Sequence, residues 1–190
     1  MKKTIFIIPG FRHTPSQKAY KTLASLLKKE GYFPIPVIIP WQHRTISENT
    51  EYFLKEYKKI RRSEKHILGF SYGAMIALIA STKVDVSGLI LCSLSPFFKE
   101  DVYQKKSKQT YQYADFSRLH FGRLAGRIKA KQILMLYGAK EEKSLIKRVN
   151  EAYYQIPSSH KYLMPIQKTE HDIGDKRYLQ KIQYATKQLY

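Results

Sequence analysis

Apolar runs of five to seven residues alternate along the chain with longer stretches in which apolar positions recur three and four apart. The runs at 3–8 (KTIFII), 35–39 (IPVII), 66–70, 87–93, 132–137 and 160–164 predict strands. They are apolar almost throughout, as a strand must be when both faces of its sheet are covered. Between them, residues 15–30 put Ala19, Leu23, Leu26 and Leu27 on one helical face and stop at Gly31. Thr45 and Glu48 have the spacing of a capping box, ahead of Tyr52, Phe53, Tyr57 and Ile60 at helical intervals up to Arg61-Arg62. Further helices are predicted over 72–82, within 100–127, over 143–153, and over 175–189, where Tyr178, Leu179, Ile182, Ala185 and Leu189 form an apolar face. Regular alternation of strand and helix predicts an α/β fold, a mostly parallel sheet with helices on both faces. Chemistry in such sheets sits beyond the carboxyl ends of the strands.

Composition narrows this to one domain over 1–190, because 190 residues at 43% hydrophobic content fill one sizeable core but hardly two. The single cysteine, Cys92, lies in an apolar run, so no internal disulfide forms and a reducing compartment is expected. The start, MKKTIFIIPGF, has too short an apolar stretch for the ~7–15 residues of a signal-peptide core, and no run approaches the ~20 of a membrane span. The expectation is a cytoplasmic protein. The net charge of +19 comes from 34 Lys and Arg against 15 Asp and Glu. Its lysines are spread over the outer faces of the predicted helices, and no zinc-ligand pattern or basic repeat accompanies them. The reading is a solvated basic surface, with no dedicated nucleic-acid or membrane partner.

The stretch ILGFSYGAM, residues 67–75, boxes Ser71 between Gly69 and Gly73 where a buried strand becomes a buried helix. A chain that turns so sharply crowds its own backbone, and glycine has no Cβ to clash. The serine hydroxyl is thereby presented at the top of the sheet, beside the positive end of the next helix. Ser71 is the candidate nucleophile.

A serine needs a base, and the base a carboxylate to hold its tautomer. His171, in KTEHDIGD, follows the last predicted strand and precedes the final helix, where an imidazole reaches across the sheet edge. His66 opens the nucleophile strand and belongs at its far end; His43 and His120 lack a strand-end context. His13 follows the first strand closely and is kept as a substrate contact or second-choice base. The loop in LMLYGAKEEKS offers Glu141 and Glu142 as the acid, with Asp101 as an alternative; Asp172 is too close in sequence to His171 to orient it. The oxyanion of acyl transfer needs two N–H donors, expected from Tyr72 and from Phe11 in the loop Pro9-Gly10-Phe11.

With IIPGF, GFSYG, YGAKEE and EHD in this order, the whole chain resembles a small member of the α/β-hydrolase superfamily. The resemblance implies a serine hydrolase acting on esters, thioesters or related acyl compounds, with no cofactor and a small-molecule acyl substrate. It also implies Glu141 as the acid, three residues beyond Gly138, while Glu142 leads the following helix. Pro9 stands where many members carry histidine, and Glu where Asp is commoner. The short chain implies a lost strand or helix and no separate cap domain. Residues 97–127 would form a partial lid, an aromatic acyl pocket with a cationic rim, or else a crossover with its aromatics in the core. The rival reading is a catalytically silent binding protein on a hydrolase scaffold.

Overall fold

The computed structural model describes residues 3–61, 64–102 and 111–189, with only the backbone at Tyr111. Six strands form one all-parallel sheet: β1 (Lys3–Ile8), β2 (Tyr32–Pro36), β3 (Glu64–Phe70), β4 (Val86–Cys92), β5 (Ala130–Gly138) and β6 (Lys161–Ile166). Their spatial order is β2-β1-β3-β4-β5-β6. The helices are α1 (Lys18–Lys29), α2 (Ile46–Lys59), α3 (Tyr72–Ser81), α4 (Lys99–Val102), α5 (Tyr111–Phe116), α6 (Phe121–Ala125), α7 (Lys143–Gln155) and α8 (Lys176–Thr186).

Side-chain alternation explains the continuous apolar runs. In β1, Ile5 and Ile7 enter one core with Leu23 of α1 and Ile182 of α8, while Phe6 and Ile8 enter the other with Phe53 of α2 and Ile76 of α3. In β4, Leu89 and Leu91 face the second core and Ile90 and Cys92 the first. Successive residues point to opposite faces, so a strand between two cores needs apolar residues at every position. α3 is hydrophobic all round for the same reason: every residue from Gly73 to Ser81 is buried.

The capping box at α2 forms as its spacing predicts, with Thr45 Oγ1 accepting from Glu48 N–H and the Glu48 carboxylate accepting from Thr45 N–H. β2 is displaced from the apolar run that predicts it, pairing at Tyr32–Pro36 rather than 35–39. It is an edge strand, and Val37 N–H donates to Ile7 O just past it. Residues of that parity face β1, so Pro34 and Pro36 turn their missing donors outward. The terminal helix spans Lys176–Thr186, shorter than its pattern suggests.

The segment after β4 is a crossover with three short helices among its described residues, and its aromatics divide. Phe98 and Phe121 are fully buried, 5.1 Å apart, with the Arg148 guanidinium over both rings. Phe97 and Phe116 turn instead toward Tyr72. Tyr103 and the Tyr111 side chain lie outside the described residues. Among those residues, no helix is long and apolar enough to cross a membrane.

Candidate active site

β3 ends at Phe70 and α3 begins at Tyr72, leaving one residue for the turn. That residue, Ser71, has φ 57° and ψ −120°. The flanking glycines permit it. A Cβ on Gly69 would stand 2.2 Å from the carbonyl oxygen of Gly73, and one on Gly73 would stand 2.3 Å from that of Ile8. Ser71 N–H donates to Cys92 O at 2.8 Å, which ties the turn to β4.

The loops after β5 and β6 are stitched together beside it. Ala139 N–H donates to Ile166 O and Lys140 N–H to Thr169 O, both at 2.9 Å. This brings Glu141 and His171 within reach of Ser71. His171 Nε2 lies 3.0 Å from Ser71 Oγ, and His171 Nδ1 lies 3.1 Å from Glu141 Oε2. The imidazole rests on Phe70, ring centroids 4.8 Å apart. The other oxygen of Glu141 accepts from Gly138 N–H at 2.8 Å and from Ser93 Oγ at 2.6 Å. Ser93 gives its one proton to that carboxylate, so the Tyr178 hydroxyl 2.6 Å away is the donor to Ser93. Burial pushes the Tyr178 phenol well above its ordinary value, which keeps it a donor. Ser93 is itself at φ 51°, anchored by its N–H to Leu136 O.

Phe11 and Tyr72 stand together on the β1 side, ring centroids 5.1 Å apart, and neither N–H donates to a protein acceptor among the described residues. The Phe11 loop is held from behind. Tyr20 OH accepts from Gly10 N–H at 2.9 Å and lies 3.0 Å from His13 Nδ1, while Trp41 Nε1 donates to His13 O. Burial first, then the nearby His171 charge, lower the His13 pKa, against an opposing pull from Asp172. Tyr20 OH, which accepts from Gly10 N–H, donates a hydrogen bond to Nδ1 of a neutral His13, so His13 anchors the loop.

The other candidates fall elsewhere. Asp101 accepts from Arg148 Nε and from Phe98 N–H, bracing α4 against α7. Asp172 closes a turn onto Gly174 N–H. Glu142 is the residue before α7, exposed and with no side-chain cap bond. His66 is fully buried in β3, near Glu64 and away from the other end of the strand, where Ser71 lies.

A cavity of about 260 Å³ opens at Ser71, walled by Tyr72, Ser95, Phe97, Leu145 and His171. Among the described residues, Glu142 stands at its edge; Lys105, Lys106 and Lys108, which would supply a cationic rim, lie outside the described residues. Ser93, Ser95, Tyr20 and Tyr178 were not singled out from sequence. Ser93 and Ser95 follow β4 at a strand end, where chemistry gathers in such sheets, but nothing in the local pattern marks them.

Solved structures share this architecture over nearly the whole chain. Est1E from Butyrivibrio proteoclasticus superposes at TM-score 0.83 and 14% identity, covering 98% of this chain and 86% of that one. A putative hydrolase from Agrobacterium vitis S4 gives 0.83 and 16%, covering 99% and 88%. Alpha/beta hydrolase domain-containing protein 10 from mouse gives 0.83 and 13%, covering 98% and 88%. The chain has the α/β-hydrolase fold. No protein-family model and no curated protein matches its sequence. Within the α/β-hydrolase fold, the sharp turn at Ser71 and the loops carrying Glu141 and His171 all lie beyond the carboxyl ends of parallel strands. That arrangement can deprotonate a hydroxyl in a partly enclosed cavity next to two free N–H donors.

Proposed function

We propose that the chain is a serine hydrolase that cleaves a carboxylic ester or thioester through an acyl-enzyme. The observation that carries the reading is the unbroken line of contacts from Ser71 Oγ through both nitrogens of His171 to the buried carboxylate of Glu141. Ser71 Oγ attacks the acyl carbon as its proton passes to His171 Nε2. Glu141 Oε2 accepts a hydrogen bond from His171 Nδ1–H, which selects the tautomer and stabilises the imidazolium. The oxyanion takes the N–H groups of Phe11 and Tyr72, fixed donors that need no reorganisation when charge develops. Collapse breaks the acyl–oxygen or acyl–sulfur bond, and the leaving group departs with the proton from Nε2. Water then attacks the acyl-enzyme and gives one proton to Nε2; the acyl–Oγ bond breaks, Ser71 Oγ takes that proton back from Nε2, and the acid is released.

The test is labelling by a fluorophosphonate probe, followed by peptide mapping, alongside turnover of 4-nitrophenyl esters. Modification confined to Ser71, lost in Ser71→Ala, supports the reading. Folded protein that several such probes leave unmodified, and that turns over no ester, is a binding protein on this scaffold.

A further inference from the structure

In the resting site Ser71 Oγ meets two groups, His171 Nε2 at 3.0 Å and Ser95 Oγ at 3.1 Å. The Ser71 proton is directed at the imidazole nitrogen, so the contact with Ser95 is made by the Ser95 proton. Ser95 is 3% exposed, and its hydroxyl has no other hydrogen-bond partner among the described residues. Its backbone is fixed, the carbonyl accepting from Phe97 N–H.

Acylation of Ser71 changes what Ser95 faces. Ser71 Oγ becomes the bridging oxygen of an ester, whose lone pairs are conjugated with the carbonyl and accept weakly. Ser95 is then a buried donor beside the acyl chain without a good acceptor, an unfavourable state unless the chain supplies one. The space around it is short. Phe97 is held against Tyr72 and Phe116, with ring centroids at 5.1 and 5.2 Å, and Leu145 is buried behind. At about 260 Å³, the cavity is below the ~300–1,000 Å³ of ordinary ligand pockets. The His171 side chain is 42% exposed, so the alcohol or thiol leaves across it to solvent and the acyl group occupies the closed end.

We propose that this site selects short acyl groups with an oxygen on the second or third carbon, hydroxyacyl or alkoxyacyl. Ser95 Oγ–H donates to that oxygen, and Phe97 closes the seat to longer chains. The inference rests on the acyl-enzyme reading given above.

The experiment compares kcat/KM for 4-nitrophenyl methoxyacetate, butyrate and octanoate. Methoxyacetyl and butyryl differ by one oxygen in place of a methylene, and the greater intrinsic reactivity of the former cancels when its ratio to butyrate is compared between wild type and Ser95→Ala. That ratio is expected to fall about tenfold in Ser95→Ala, the effect of losing one buried hydrogen bond. Octanoate is expected to be the poorest substrate of wild type and to gain on butyrate in Phe97→Ala, with Phe97→Leu as the second variant should the first fail to fold. An unchanged methoxyacetate ratio in folded Ser95→Ala, or a wild type that prefers octanoate to butyrate, overturns the proposal while leaving the hydrolase reading intact. If fluorophosphonate leaves Ser71 of the wild type unmodified and no ester is turned over, both readings fall together.

Discussion

Glu141 uses its two oxygens differently, one toward His171 and one toward Gly138 N–H and Ser93. An amide in its place would present a donor to at least one of these donors. Glu141→Gln is therefore expected to lower kcat by up to about 10⁴-fold, the order associated with a triad acid turned into an amide. Glu142→Gln should stay within a few-fold on neutral esters, because Glu142 contributes only a helix-dipole interaction of ~0.3–1 kcal/mol. Parallel kinetics on the two variants decide it, and the reverse order would make Glu142 the acid. Ser71→Ala and His171→Ala should each cost several orders of magnitude in kcat, with the double variant scarcely worse, since partners in one proton transfer are not additive. Additive losses would dissolve the partnership. Ser93 offers a subtler check. Ser93→Gly removes the hydroxyl yet accepts φ 51° readily, so folding is preserved. Loss of a hydrogen bond to a charged group, ~1.5–3 kcal/mol, predicts a roughly ten- to hundredfold fall in kcat with KM little changed. Tyr178→Phe should follow in the same direction by a smaller factor, and unchanged kcat in both would make the buried pair a packing feature only.

The turn from β3 into α3 has no slack, and Gly73 is where it presses against the end of β1. A methyl group there would lie 2.3 and 2.4 Å from the carbonyl oxygens of Ile8 and Pro9, backbone atoms that cannot step aside. Gly73→Ala is expected to destabilise by more than about 4 kcal/mol, readable as a collapse of the thermal midpoint or as insoluble protein. A variant that melts with wild type would mean that β1 and α3 can separate. This element, and most of the others, could be read from the chain because local pattern and tertiary need coincide: a strand between two cores must be apolar at every position, and α3 all round. β2 departs from the apolar run that predicts it because it is an edge strand, whose limits are set by pairing with β1 and by two prolines rather than by burial. The three groups Ser71, His171 and Glu141 were legible because strand ends and glycine turns mark them. Ser95 and Tyr178 were not, since a serine after a strand or a tyrosine on an apolar helix face has no pattern that separates contact with the site from ordinary packing.

The end of the sheet opposite Ser71 carries a group sensitive to acid. His66 is buried at the end opposite Ser71, edge-on to Tyr32, and burial brings its pKa down from 6.5 to about 4, with Glu64 pulling up and Lys3 down. Between those values the unfolded chain binds a proton that the folded protein refuses, so stability falls as pH drops from about 6.5 to about 4 and levels off below. At ~1.4 kcal/mol per unit, the loss is up to about 3 kcal/mol. Urea unfolding of wild type and His66→Leu across that range measures it: the variant's curve should be flatter, and parallel curves would assign the acid sensitivity to other groups.

The site's long sequence span bears on how the chain is made. Ser71 and His171 are 100 residues apart, and the hydroxyl of Tyr32 and the amide of Gln183 bind α1 and β2 to α8 near the end. At a synthesis rate of ~5–20 residues per second, the ribosome delivers the serine roughly 5–20 s before the histidine. Through that interval the nascent polypeptide carries a hydroxyl without the base that the proposed mechanism requires. On that mechanism reactivity is acquired late, when β6 joins the sheet edge and the loop after it brings the imidazole.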